Sequence, residues 1–357
     1  MADILNIGII GAGGIAQSAH MPGYASMPGF CKIKWACDAN VDTANQAAAQ
    51  FDVPCVTTNF WDVVNDTEVD AVSVATPNKY HWEPTVEALK SGKHVLCEKP
   101  MAMTADEARK MVRAAKESGK ILQVGMNNRF TGPIQFMKSY IDEGHMGQIY
   151  YARAQALRRR GVPGWGVFIE KAKQGGGPLV DIGVHILDLT LHLMGFPKPV
   201  AASGMTWDML GKNPEIMNPW GEYDRTKFTV EDFAVAFLRL ENDAVVVLES
   251  SFMANLEGDP FQTQLFGTKA GAMVRAWGED PIQIWTEQSR RLLDVKPAFI
   301  PTVANSHVAE VQAFVNAILE EEPSPVPPEQ GLYMNAIFDA VYKSAETGAE
   351  QPVDTSY

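Results

Sequence analysis

Ile7-Gly8-Ile9-Ile10-Gly11-Ala12-Gly13-Gly14-Ile15-Ala16 carries an apolar run into a glycine turn and on into a stretch of helical texture. A strand, a turn of the form G-x-G-x-x-A and a helix, in that order, open a parallel α/β sheet that holds a dinucleotide. The first glycine permits the tight turn, the second lets the backbone approach a pyrophosphate, and a small third residue brings helix and strand together, with helix amides facing the anion. The next apolar run, Ile33-Lys34-Trp35-Ala36-Cys37, ends in Asp38, 22 residues beyond Ala16, near the spacing of a ribose-binding carboxylate. Gly11, Gly13, Gly14, Ile15 and Asp38 are therefore assigned to cofactor binding. Asp38 would accept from the 2′-hydroxyl and repel a 2′-phosphate, which favours NAD over NADP. A turn without ligand is the bland reading. A methyltransferase binding S-adenosylmethionine would share the turn and the acid but leaves the later segments without a purpose.

Outward from this loop, apolar runs at 4–10, 33–37, 71–75, 94–97 and 121–124 alternate with helical stretches such as Val41–Gln50 and Ala105–Ser118, the latter closed by Gly119. This alternation specifies a doubly wound parallel sheet, a Rossmann domain over residues 1–125. From 126 to 357 the texture changes. One apolar helix at 179–194 precedes alternating segments at 232–240, 244–253, 261–266 and 282–286, which read as a largely antiparallel sheet in an α+β domain. Asn242-Asp243 and Gly267–Gly271 supply turns, and helices at about 306–320 and 330–346 flank a Pro-rich connector. The stretch at 203–228, with Trp207, Trp220 and Tyr223, reads as a long loop covering either the site or a subunit interface.

With 357 residues the chain is long enough for two cores. Its 43 acidic and 30 basic residues leave a net charge of −13, which repels a phosphate backbone and excludes nucleic acid as the expected partner. Four cysteines without a CxxC pattern read as reduced thiols. No apolar run reaches the length of a membrane span, and the N-terminus lacks a secretory pattern, so a cytoplasmic location is expected.

Two further segments carry chemistry. Thr76-Pro77-Asn78-Lys79-Tyr80-His81 and Gly92–Pro100, the latter ending Cys97-Glu98-Lys99-Pro100, fall at carboxyl ends of parallel strands, where such a sheet places its ligand. Thr76, Pro77, Asn78, His81, Glu98 and Lys99 are assigned to the cofactor side. A lysine there can stabilise an oxyanion as a hydroxyl proton leaves, against the alternative of an ordinary surface lysine. In the run Gly175–Gly195, Asp181 and His185 stand four apart, as neighbours on one helical face, so the carboxylate can fix the imidazole for general-base work. Asp188 and His192 extend the stripe, but Asp181 and His192 lie roughly 16 Å apart along a helix, and no other cluster completes a metal site. No metal is expected, and Asp188 and His192 are read as core residues.

These motifs carry a resemblance. GAGGIA, ATPNKYH, GKHVLCEKP and GGGPLVDIGVHILDLTLHLMG, followed by VEDFAVAFLRL and AEVQAFVNAI, resemble in order the motifs of the Gfo/Idh/MocA oxidoreductases, over nearly the whole chain. The resemblance implies NAD or NADP, a sugar or cyclitol substrate, and an open second-domain sheet that forms homodimers or homotetramers. It makes Lys99 the catalytic lysine, Glu98 a cofactor contact, and Asp181 with His185 the acid–base pair. The stretch Gln123–Phe130 departs from inositol dehydrogenases, so the substrate does not transfer. Asn128, Arg129, Arg158, Arg160 and Trp165, with Asp181 and His185, are assigned to substrate contact, the arginines donating to hydroxyls and Trp165 packing on a sugar face. A charged loop with a structural tryptophan is the alternative. The expected function is an NAD-dependent dehydrogenase of a sugar or cyclitol. The alternatives are a non-catalytic NAD-binding regulator of the same fold and a reductase of another carbonyl or imine.

Overall fold

The computed structural model describes residues 4–357. The chain divides into two compact units. The first takes the chain to Asn127 together with Asn305–Asn335 and Ser356–Tyr357; the second holds Asn128–Ala304 and Ala336–Thr355.

The first unit is built on β1 (Leu5–Ile10), β2 (Cys31–Cys37), β3 (Cys55–Thr57), β4 (Ala71–Val74), β5 (His94–Glu98) and β6 (Leu122–Gly125), all parallel, in the order β3-β2-β1-β4-β5-β6. This is the doubly wound order, with the reversal beside β1. Helices α1 (Met21–Ala25), α2 (Val41–Phe51), α3 (Phe60–Asn65), α4 (Trp82–Lys90) and α5 (Ala105–Ser118) make the connections. Their boundaries are chemical: Asn40, Asn59 and Thr104 cap α2, α3 and α5 with side-chain oxygens, and Gly119 closes α5 at φ 65°. The strands expected from sequence are present, and β3, only three residues long, is additional. The sequence also gives everything after residue 125 to the second domain, whereas the chain returns to the first unit through α10 (Ser306–Leu319). The cause is apolar burial, since Val311, Phe314 and Val315 complete the core of Ile9, Met21 and Tyr24. Gly23 permits the approach, because a Cβ there would lie 2.6 Å from Val311.

The second unit is a nine-stranded sheet, ordered β14-β13-β12-β11-β7-β10-β9-β8-β15, with α6 (Gly132–Asp142), α7 (Lys171–Gln174), α8 (Pro178–Asp181) and α9 (Gly183–Leu193). Its strands are β7 (Ile149–Leu157), β8 (Pro199–Trp207), β9 (Phe233–Leu240), β10 (Val245–Ser251), β11 (Phe261–Gly267), β12 (Ala270–Val274), β13 (Ile282–Gln288), β14 (Arg291–Val295) and β15 (Gln351–Pro352). β7 pairs parallel with β10, while β10–β9, β9–β8 and β7–β11 are antiparallel. Alternation sets the buried face: in β9, Ala234, Ala236, Leu238 and Leu240 are inside. α11 (Pro328–Thr347) begins in the first unit and ends in the second. Two sequence expectations need correction. Residues 203–207 belong to β8 rather than to a loop, and Gly267–Gly271 includes the start of β12. Among the described residues no helix is long and apolar enough to cross a membrane.

Candidate active site

Gly11 holds φ 88°, and a Cβ on it would lie 2.6 Å from the Ala75 carbonyl carbon and the Thr76 nitrogen, so no other residue fits the turn. Its amide and that of Ala12 donate to the Cys37 carbonyl at 2.8 and 3.1 Å, tying the turn to the end of β2. Gly13 and Gly14 differ: nothing lies within 4 Å of where their Cβ atoms would be. Behind them a π-helical turn, Ala16–His20, leads into α1. Ile15 is exposed beside this space. Asp38 follows β2 half-buried, one carboxylate oxygen accepting the Asn40 amide at 2.9 Å. An open cradle over two glycines, with an acid at the end of the neighbouring strand, fits a dinucleotide. Gly13 and Gly14 would face its pyrophosphate and Asp38 its ribose.

At the next strand ends, Thr76 donates to the Tyr80 carbonyl at 3.0 Å, Pro77 is exposed, and Asn78 is buried at the start of a short 3-10 turn. His81, assigned from sequence to the cofactor, is buried and uses both ring nitrogens on main-chain carbonyls: Nδ1 on Pro100 at 2.9 Å and Nε2 on Thr76 at 2.7 Å. It therefore clamps the Thr76 loop to the Lys99-Pro100 segment, and no ring nitrogen is left for a ligand. Glu98 is buried. Burial pushes its carboxyl up, but the hydrogen bond from His20, with the charge of Lys99 adding to the effect, outweighs that and brings it down to about 2. Lys99 is half-buried and precedes a cis proline.

In the second unit the sequence predicts one helix over 179–194. The chain breaks it at Ile182 into α8 and α9, leaving Asp181 at the end of α8 and His185 in the first turn of α9. Ile182 keeps right-handed torsions (φ −107°, ψ −28°), so the helical sense continues across the break. The break lets Gly183 approach Ser250, whose hydroxyl donates to the Pro178 carbonyl at 2.7 Å. Asp181 is buried and His185 is half-buried. The start of α8 is held by Glu231, whose Oε1 accepts the Gly177 and Leu179 amides at 2.9 and 3.2 Å and the Tyr342 hydroxyl at 3.0 Å. The glycine tract makes room: a Cβ on Gly176 would strike the Tyr342 hydroxyl and one on Gly177 the Glu231 carbonyl.

Arg129, assigned from sequence to substrate, is 2% exposed and engages Asp188 in a two-pronged ion pair, Nε to Oδ2 at 2.8 Å with Nη2 on Oδ1. It supports α9 from beneath, and Asp188 is the core residue expected. Asn128 is likewise buried, its carbonyl accepting the Thr131 hydroxyl at 3.0 Å. Arg160 donates to the Ala254 carbonyl and to Asn255 Oδ1 at 3.0 and 2.8 Å, which makes it a loop fastener. Arg158 is different. Its guanidinium lies 4.2 Å over the Trp220 ring, donates to the Gly161 carbonyl at 2.9 Å, and is lowered from the usual range by burial, with the charges of Asp181 and Asp259 opposing. Trp165, 57% exposed, lies parallel to Trp220 with centroids 6.2 Å apart. Asn218 fastens this wall, bonding both the amide and the carbonyl of Val162 at 3.1 and 2.8 Å. The stretch after β8 is thus folded onto the 158–168 segment of its own unit. Among the described residues no group of three His, Cys, Asp or Glu stands close enough to hold a metal.

A family model described as "Oxidoreductase family, NAD-binding Rossmann fold" matches residues 5–126, and its companion, "Oxidoreductase family, C-terminal alpha/beta domain", matches residues 138–355. The chain belongs to the Gfo/Idh/MocA family. It is 34% identical over 345 residues to D-glucoside 3-dehydrogenase of Escherichia coli, covering 96% of each chain. With levoglucosan dehydrogenase of Pseudarthrobacter phenanthrenivorans it shares 30% over 303 residues, 78% of this chain and 76% of that one. The solved structure of a levoglucosan dehydrogenase in complex with NADH superposes with a TM-score of 0.84 at 25% identity, over 99% of this chain and all of the other.

For a Gfo/Idh/MocA protein, the residues that sequence reasoning misses here are supporting ones. Glu231 lies in the family-like VEDFAVAFLRL run, yet its partners, Gly177 and Leu179, are more than fifty positions away. Trp220 is named by the sequence only as part of a loop over the site or a subunit interface, and its packing on Arg158 and Trp165 has no periodic signal in that irregular stretch. Only the excess of tryptophan and tyrosine there signals a packed aromatic wall.

Proposed function

We propose that this protein is a dehydrogenase that oxidises one secondary hydroxyl of a sugar, a glycoside or a cyclitol with NAD. The observation that carries the reading is the dinucleotide cradle of Gly11, Gly13 and Gly14 with Asp38, in a chain alike over 96% of its length to a glucoside dehydrogenase. When bound, the nicotinamide supplies the hydride acceptor. The chain's own groups handle the proton and the charge. His185, oriented by Asp181, has the chemistry to take a hydroxyl proton, and Lys99 that to steady the negative charge an oxygen develops. Arg158 and Trp165 serve the substrate side, the indole offering a flat apolar face to the C–H bonds of a ring and Arg158 a charge near Asp181.

Three finer readings belong with it. Asp38 would select NAD, because a 2′-phosphate beside a carboxylate meets repulsion. Self-association through the open sheet is supported by Tyr150, Val200, Met205 and Phe237, which remain exposed on its strands. The four cysteines are free, which suits a reducing compartment such as the cytoplasm.

The test is reduced-cofactor absorbance against a panel of sugars, glycosides and cyclitols, each with NAD and with NADP. Turnover with at least one ring polyol is expected, NAD being preferred, with kcat about 100-fold lower or less in Lys99→Ala and His185→Ala. Dinucleotide binding without turnover on any polyol would point instead to a regulator. An unchanged NAD preference in Asp38→Ala would remove that residue from selection.

A further inference from the structure

Within the first unit, beneath the cofactor loop, four polar side chains form a chain closed off from water. His20, 0% exposed, lies on the π-helical turn that follows the glycines. Its Nδ1 is 2.6 Å from the Ser73 hydroxyl on β4 and its Nε2 is 2.9 Å from Glu98 Oε1 on β5. The Tyr24 hydroxyl, one helical turn beyond His20, donates to the same Ser73 oxygen at 3.3 Å. The remaining carboxylate oxygen of Glu98 accepts the Lys99 amide at 3.1 Å. Hydrogen-bond accounting gives this chain a direction. Burial pushes the Tyr24 phenol up, so it stays a donor. Ser73, accepting from Tyr24, turns its own proton to Nδ1, and the imidazole proton then sits on Nε2, aimed at Glu98. Every proton has one place, and the carboxylate has one orientation.

We propose that His20 is a positioning residue for the cofactor site, holding the Glu98 carboxylate, together with Ser73 and Tyr24, in a single orientation beside Lys99. The inference rests on the dehydrogenase reading, in which Glu98 contacts the dinucleotide. It assigns a purpose to a buried histidine that neither accepts a substrate proton nor fills apolar space. A π-turn inserts one extra residue into a helix, and such turns recur at functional sites; here the turn carries the imidazole between β4 and β5. The charged and titratable groups facing Glu98 are His20 on that turn, Lys99 beside it, the buried Cys97 thiol before it on β5, and His307 at the start of α10; Glu98 in turn faces His81. Without the His20 donor, burial is the largest influence left on the carboxyl, and it favours the neutral acid.

The test uses the full-length protein, with NAD affinity measured by titration across pH 5 to 8 alongside thermal unfolding. Wild type should bind NAD with little pH dependence in that range. His20→Phe should weaken binding about tenfold at pH 5 to 6 and less at pH 8, because protonated Glu98 no longer accepts. His20→Gln, whose amide can donate to Glu98 and accept from Ser73, should restore most of the loss. Ser73→Ala, a smaller disturbance, should show the same acid limb in weaker form, and it stands in if His20→Phe does not fold. A folded His20→Phe or Ser73→Ala protein with wild-type affinity throughout the range overturns the proposal, as does a His20→Gln that behaves like His20→Phe. The coupling also has a readout without cofactor. The infrared carbonyl band of a protonated carboxyl should appear in His20→Phe as pH falls and vanish when Glu98→Gln is added. If that band appears and wild type binds no dinucleotide, the dehydrogenase reading has failed while the His20–Glu98 coupling stands.

Discussion

Glu231 Oε1 accepts the Gly177 amide at 2.9 Å, so a carboxylate just before β9 fixes the residue that caps the helix carrying Asp181. The same oxygen takes the Leu179 amide and the Tyr342 hydroxyl, and the group is buried. Burial pushes its carboxyl up while the donors pull it back. Glu231→Ala leaves two helix-start amides and a phenol without their acceptor, at about 1–3 kcal/mol. The expected result in urea unfolding is a loss of that size. In kinetics, kcat should fall with the KM for NAD unchanged, because the damage lies at Asp181 and not at the glycine loop. Glu231→Gln keeps an acceptor and should lose less on both counts. A Glu231→Ala enzyme with wild-type kcat would make the cap purely structural.

The glycines of the cofactor loop should separate stability from binding. Gly11→Ala forces a side chain at φ 88° to within 2.6 Å of the Ala75–Thr76 backbone, and a cost of at least about 2 kcal/mol follows from strain and clash together. Gly13→Ala meets no atom within 4 Å. Its methyl group should leave the thermal midpoint unchanged and occupy the space over the turn, weakening NAD about tenfold or more. Thermal unfolding with and without saturating NAD distinguishes the two, since the cofactor-induced stabilisation should shrink in Gly13→Ala while the unliganded midpoint holds. The reverse pattern would mean that the dinucleotide does not lie over Gly13.

What was legible in the sequence was local. The strand–glycine–helix order, Asp38 at the end of β2, and the Gly119 stop of α5 each follow from a few adjacent residues whose backbone needs admit few alternatives. β7 and β8 carry little signal in the sequence because Ala152, Ala154 and Ala156 on β7, and Ala202 on β8, fill the inward positions. Small residues carry little apolar contrast, so the period of two is faint. The Arg129–Asp188 pair is illegible for a related reason: a charged residue usually marks a surface, and nothing near Arg129 in the chain announces Asp188, 59 positions away. A histidine at a strand end suits ligand binding and loop clamping equally well, and at His81 only the two carbonyls around its ring favour the clamp. The break at Ile182 is hidden for the same reason, since Gly183 and the Ser250 it lies beside are on distant elements.

His94 gives the first unit an acid-sensitive point far from the chemistry. Its Nδ1 accepts the Ile121 amide at 3.1 Å, which links β5 to the start of β6 and requires that nitrogen to be unprotonated. Burial, aided by Lys120 and opposed by Asp70, brings the imidazole down to about 4. A histidine whose value is depressed on folding contributes stability that is present above its ordinary value near 6.5 and is lost as pH falls toward the folded value. Between pH 6.5 and 4 the unfolded chain binds up to one more proton here than the folded one, a slope of up to about 1.4 kcal/mol per pH unit. His94→Gln can still accept the Ile121 amide and does not titrate. Its unfolding free energy should therefore fall less steeply than that of wild type from pH 6.5 to 4.5, the two curves lying nearly parallel above pH 7. If wild type and His94→Gln instead lose stability in step across the acid range, the proton is taken up elsewhere and the bond to Ile121 does not govern the response.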